Sequence, residues 1–284
     1  MSETAQIENN PLKNYFRKPG IWIKLPSQGK FYPTPLADLN DQGEIPVYPM
    51  TAKDEIVLKN ADALLNGSAI KQLVNSCVPT IKDINSIPAI DIDAILVAIR
   101  RATYGDKFDI TAECNCEKQQ KTQASVNLDQ VIASVRVIND IKPIDLASGI
   151  KVFVKPITIK NILDLNWTQF EQMRNLQMAE QKELSQEEQL KLVNASYDVL
   201  LNTSIKTVCE CIEEVLLPEG VVVNDKAQIF EWANQMERPE FKKLEESLMQ
   251  IGELGINKNI TIQCANCDKT FTSTLDLNPT TFFA

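Results

Sequence analysis

Apolar residues fall at Ile21, Ile23 and Leu25 with polar or aromatic neighbours between them, a period of two that predicts a short strand. Residues 26–29 (Pro-Ser-Gln-Gly) then turn the chain. Bounded by Pro19 and Pro26, this strand belongs at a sheet edge, because proline cannot donate to a ladder. A second short strand is expected over 45–48, followed by Thr51 as a helix N-cap with Asp54 and Glu55 in the first turn. Helical periodicity then predicts helices at about 52–60, 60–76 and 90–103. The last carries Ile92, Ile95, Leu96 and Ile99 and is closed by Tyr104-Gly105. A strand over 107–113 and a returning strand over 124–128 flank a polar bend. Further strands are expected over 152–154, at Ile260 and Ile262, and over 271–275.

Short patterns recur in the same order along the two halves. Pro49-Met-Thr-Ala-Lys53 is mirrored by Pro156-Ile-Thr-Ile-Lys160, and Leu64-Leu-Asn-Gly-Ser68 by Leu200-Leu-Asn-Thr-Ser204. Gly105 stands five residues before Ile110, as Gly255 stands five before Ile260. Lys118 and Lys269 each lie two residues past a cysteine pair. Ordered matches of this kind point to an internal duplication, and two copies are too few for a solenoid. The expected fold is therefore α+β: an internally duplicated helical unit with short β-strands and a zinc-ribbon-like pair of Cys knuckles. The expected organisation begins with a mobile arm over 1–18 and an N-terminal β segment over 19–48. A first repeat over 49–140 includes a knuckle at 107–128; a second over 150–284 includes a knuckle at 258–277. A charged segment of the second repeat, 165–195, reads as an inserted, solvated helix pair.

Composition narrows the chemistry. The 284 residues carry 44% hydrophobic and 24% charged side chains, ordinary for a globular protein, and no apolar run has the roughly 18–20 residues a membrane span needs. The first residues have no apolar signal region, so the reading is of a protein working in the reducing compartment where it is made. There grouped cysteines favour metal or redox chemistry over disulfides. A net charge of −9 argues against a general nucleic-acid binder. The chain has no histidine, which removes His-based triads, His general bases and His-containing metal sites. No G-x-G-x-x-G, P-loop or nucleophile elbow is present.

Cys264-Ala-Asn-Cys267 lies between two strand patterns, half of a zinc ribbon, and Cys114-Asn-Cys116 occupies the matching place in the first half. Joined, Cys114, Cys116, Cys264 and Cys267 would form a tetrahedral four-thiolate site suited to Zn²⁺. Such a site leaves no position for water or substrate, so its role would be a structural clip closing a long loop. The alternative is a pair of metal-free turns. A thioredoxin-like role fits poorly, since that motif opens a helix whereas residues 270–274 favour strand. Cys77, Cys209 and Cys211 sit in apolar helices and read as core residues. Asp91-Ile-Asp93 reads as helix-opening acids, and Arg100-Arg101 as cations at a helix C-terminus. Trp22, Phe31 and Tyr32 either pack on the core or dock a partner. Phe282 and Phe283 either fold back or insert into a neighbour.

The segments 18–33, 49–55, 64–67 and 91–93 with Tyr104-Gly105 resemble the T4-type bacteriophage baseplate (hub) protein family. The C-terminal knuckle, with its Asn-Pro and aromatic ending, is similar to the hub proteins of that group. The resemblance implies a non-enzymatic structural or assembly protein of a contractile tail baseplate hub. It would be found in the virion or the infected bacterial cytoplasm, with other baseplate and tail proteins as partners. It carries over no catalytic motif; its C-x-x-C maps to Cys264 and Cys267, while C-x-C at Cys114 and Cys116 departs from that spacing. A zinc-ribbon nucleic-acid-binding regulator is the competing reading, weakened by the few knuckle cations (Lys118, Lys121, Lys258, Lys269).

Overall fold

A computed structural model describes residues 10–114, 121–180, 185–264 and 267–283. Strand β1 (Ile21–Ile23) pairs antiparallel with β2 (Ile45–Val47) in a two-stranded sheet. Helices α1 (Ala52–Leu58), α2 (Ala61–Leu65), α3 (Ser68–Cys77) and α4 (Ala89–Tyr104) follow. Thr51 begins α1 with a reciprocal capping box: Asp54 returns its carboxylate to the Thr51 amide and hydroxyl at 2.7 and 2.8 Å. The single helix expected over 60–76 is broken. Asn66 and Gly67 separate α2 from α3, and Gly67 adopts φ 73°.

Helix α4 is buried along most of its length, from Ile90 to Ile99, so it forms the central rod of the first core. Gly105 ends it and leads into a hairpin of β3 (Lys107–Glu113) and β4 (Lys121–Asn127), closed by α5 (Leu128–Ala133). Near the C-terminus the same order recurs. Gly255 leads into β9 (Asn259–Gln263) and β10 (Thr270–Thr274), then α10 (Pro279–Phe282). Asn127 and Asn278 cap the two terminal helices with their side chains.

Between these hairpins lies a four-stranded antiparallel sheet, in the order β5 (Ile144–Asp145), β6 (Lys151–Val154), β7 (Ile212–Leu216), β8 (Val222–Val223). Two long helices, α6 (Ile159–Glu180) and α7 (Gln186–Cys211), connect β6 to β7 and pack on each other. Helices α8 (Lys226–Asn234) and α9 (Arg238–Gly252) complete this part. The whole is a mixed α+β architecture. No described helix is long and apolar enough to cross a membrane.

Among the described residues, buried side chains form two clusters. The first joins β1, β2 and α1–α5 with Ile159, Ile256, Leu275, Phe282 and Phe283. The second is built from Ile144, Leu146, Val152 and Val154 with Ile212, Val215, Ile229 and Leu244. The returning segment therefore contributes Ile256, Leu275, Phe282 and Phe283 to a core built mostly from residues early in the chain. A short backbone ladder ties residues 157–159 to residues 87–89: Ala89 N–H donates to the Ile157 carbonyl and Ile159 N–H to that of Ile87, both at 2.8 Å.

Candidate metal centre

The β3–β4 hairpin runs in register from Lys107 opposite Asn127 to Glu113 opposite Lys121, so Cys114 emerges at its tip. The β9–β10 hairpin runs from Asn259 opposite Thr274 to Gln263 opposite Thr270, so Cys264 emerges at the corresponding tip. The Cys264 N–H donates to the Lys269 carbonyl at 2.9 Å, and Asp268 N–H donates back to the Cys264 carbonyl at 3.0 Å. Asp268 takes a left-handed conformation, φ 53°, which tightens this turn and brings Cys267 round beside Cys264.

The two tips meet. The sulfurs of Cys114, Cys264 and Cys267 all lie within 4.8 Å of one another, with Cys114 and Cys267 at 3.9 Å. Tetrahedral Zn–S bonds of about 2.3 Å set neighbouring sulfurs about 3.8 Å apart, so the spacing fits a shared zinc ion. Cys114 and Cys264 are buried and Cys267 is half-buried. Three thiols in this arrangement are a soft donor set suited to zinc. Cys116, expected as the fourth ligand, lies outside the described residues.

The other cysteines are of a different kind. Burial pushes the thiols of Cys77 and Cys209 up to about 11 and that of Cys211 up to about 12, which keeps them protonated. They pack in apolar surroundings, as their place in the sequence implied. Two knuckle cations are already engaged: Lys121 with Glu113 at 3.6 Å and Lys258 with Asp93 at 2.8 Å.

Several other residues take different roles from those expected. Asp91 opens α4 in its first turn, as expected, but does not face solvent. It is fully buried and accepts from the Ser27 amide (2.8 Å), the Ser27 hydroxyl (2.5 Å) and the Tyr32 hydroxyl (2.9 Å). Tyr32 is therefore tied to the core, Phe31 is half-buried, and Trp22 is 41% exposed. Of the two alternatives for Phe282 and Phe283, folding back holds: both are buried in the first core, so neither is exposed for docking. Arg100 holds them there. Its guanidinium lies 4.3 Å from the Phe108 ring centre and 5.3 Å from that of Phe282, and it donates to the Phe282 carbonyl.

Arg17, at the end of the expected mobile arm, is anchored by the Ser76 carbonyl and hydroxyl at 2.6 and 2.9 Å. Its other terminal nitrogen donates to the Pro49 carbonyl at 2.5 Å and lies 3.7 Å from Asp54. Lys226 caps α7 by donating to the carbonyls of Cys209, Glu210 and Ile212. Neither contact carries a short-range sequence signature, because the partners lie far along the chain.

A family model described as T4 bacteriophage base plate protein matches residues 19–284. No curated protein and no solved structure is matched by the chain.

Proposed function

The chain belongs to the T4 bacteriophage base plate protein family, and from that membership we propose that it is a non-enzymatic component of the central hub of a contractile tail baseplate. The match over residues 19–284 carries this reading, since it spans both cores and both cysteine-bearing hairpins. The protein acts by binding other baseplate and tail proteins, in the virion or during assembly in the infected bacterial cytoplasm. Mass spectrometry of purified virions distinguishes a resident component from an assembly chaperone. Docking through Trp22 and Phe31 belongs to this proposal, supported by the exposure of Trp22 on an edge strand.

A structural zinc ion at the hairpin tips completes the proposal, held by Cys114, Cys264 and Cys267 with Cys116 as fourth ligand. Four thiolates would close the coordination shell, so the metal would cross-link the two hairpins and leave no position for a substrate. The mutual approach of three sulfurs from hairpins 150 residues apart supports it. Metal binding that exists only in the folded state stabilises that state. Elemental analysis is expected to find one zinc per chain, and Cys264→Ser to lose both the metal and several degrees of thermal stability. A metal-free wild-type protein as stable as the zinc-supplemented one overturns this reading.

We also propose that the halves 49–140 and 150–284 descend from one unit, with 165–195 inserted in the second, after an arm (1–18) and an N-terminal β segment (19–48). The shared order of glycine, hairpin and Asn-capped helix supports that kinship.

A further inference from the structure

Helix α7 carries two faces with apolar residues, and the intramolecular packing uses only one. Ser196 is buried, and Val193 and Leu200 half-buried, on the flank that packs within the molecule. Leu190, Asn194, Tyr197 and Leu201 lie on the other flank. Leu190 is 61% exposed, Tyr197 66% and Leu201 60%, and Asn194 is exposed between them. Steps of three and four residues keep these side chains within about 60° of one line along about 16 Å of helix. That spacing is the seam of a coiled coil, which a facing helix fills with interlocking side chains.

The seam is also self-complementary. Its spacing of four, three, four residues with leucine at each end reads the same in either direction. A second copy of α7 laid antiparallel places each Leu190 on Leu201 of the second copy, and each Asn194 beside its Tyr197. Every contact then occurs twice about a two-fold axis, the symmetry of the commonest homodimers. The flanking charges agree with this register. Lys191 and Asp198 lie on the same side of the seam, seven residues apart, and the antiparallel arrangement brings each Lys191 within reach of Asp198 of the second copy. Lys191 faces Glu187 at 2.6 Å on its own helix, and a second acid adds to that pair. The seam asparagine fixes the register, as a single polar residue does in paired helices. The exposed Trp167 and Phe170 of α6 have no such symmetry.

We infer that this face of α7 is the contact between two copies of the chain, paired antiparallel through Leu190, Asn194, Tyr197 and Leu201. One helix pair buries less than the roughly 1,200–2,000 Å² of a tight complex, so the dimer forms in the micromolar range of concentration. Sedimentation velocity on the full chain, from micromolar to near-millimolar concentration, tests it. Leu201→Glu, at an exposed position that leaves the fold intact by circular dichroism, is expected to weaken the dimer at least about tenfold. Asp198→Lys places like charges together and has the same effect. Adding Lys191→Glu to that variant restores the wild-type affinity to within about threefold. Val199→Glu, on a different flank, changes nothing. A chain that stays monomeric throughout this range overturns the inference, as does a dimer indifferent to Leu201→Glu. Failure of the double charge reversal to restore pairing also overturns it. None of these outcomes depends on the metal content, so the zinc proposal stands or falls separately.

Discussion

Asp91 places a carboxylate inside the most apolar helix of the molecule, and three donors from residues 27 and 32 hold it there. Burial nevertheless raises its pKa from an ordinary 3.8 to about 6, against the lowering effect of the Ser27 and Tyr32 hydrogen bonds. Between about pH 4 and 6 the folded protein therefore holds a proton that the unfolded chain has lost. Stability from this group is greatest at acid pH and declines as the pH rises through that window, by up to about 3 kcal/mol. Denaturant midpoints measured across the window are expected to show this decline in the wild type and its absence in Asp91→Asn. Asp91→Ala is expected to cost about 2–4 kcal/mol, because the buried Ser27 and Tyr32 donors lose their acceptor, and Asn to cost less because it retains one. The sequence presented Asp91 as the first acid of a helix, a position that local rules explain fully. Its partners lie about 60 residues upstream, beyond the reach of any local pattern.

At the scale of elements, periodicity located both hairpins, the N-capped start of α1, the central helix α4 and the helical character of the charged segment. It failed where one glycine decides. The pattern over 60–76 is continuous, yet Gly67 turns with φ 73° and admits the α6 side chain Leu163 so closely that a Cβ there would overlap both of its methyl groups. Gly67→Ala is expected to destabilise the protein by about 1–3 kcal/mol, from backbone strain and the clash together. Combining it with Leu163→Ala removes the clash and leaves the strain, so thermal melting of both variants separates the two contributions. The cysteine cluster was legible to the extent that turn chemistry is local: C-x-x-C between alternating strands announces a knuckle. The grouping of Cys114 with Cys264 and Cys267 came from matching the two halves; in the structure their three sulfurs lie within 4.8 Å of one another. The tail was not legible. A terminal Phe-Phe carries no sign of whether it returns to its own chain, and what draws it in is Arg100 and Phe108 on a distant helix and hairpin.

For the molecule as a whole, the second cluster is assembled from one continuous stretch, residues 144–244, whereas the first waits on residues from both ends of the chain. Phe282 is completely buried and meets Phe108 and Phe283 edge to face, with ring centres 5.0 and 5.3 Å apart. Phe282→Ala is expected to cost about 3–5 kcal/mol in urea unfolding, since it empties a site surrounded on all sides. The early residues thus leave the ribosome well before their packing partners exist. During synthesis, helix α4 and its neighbours must wait, with an apolar gap open, until residues 256–283 have been made and can fill it. The middle of the chain is free to fold first. A nascent chain halted after residue 250 would carry a finished second core beside an unfinished first one, a state that invites chaperones or proteases. The hairpin that bears Cys264 and Cys267 thus arrives long after the one that bears Cys114. Any metal joining it to Cys114 would register that synthesis has passed residue 267.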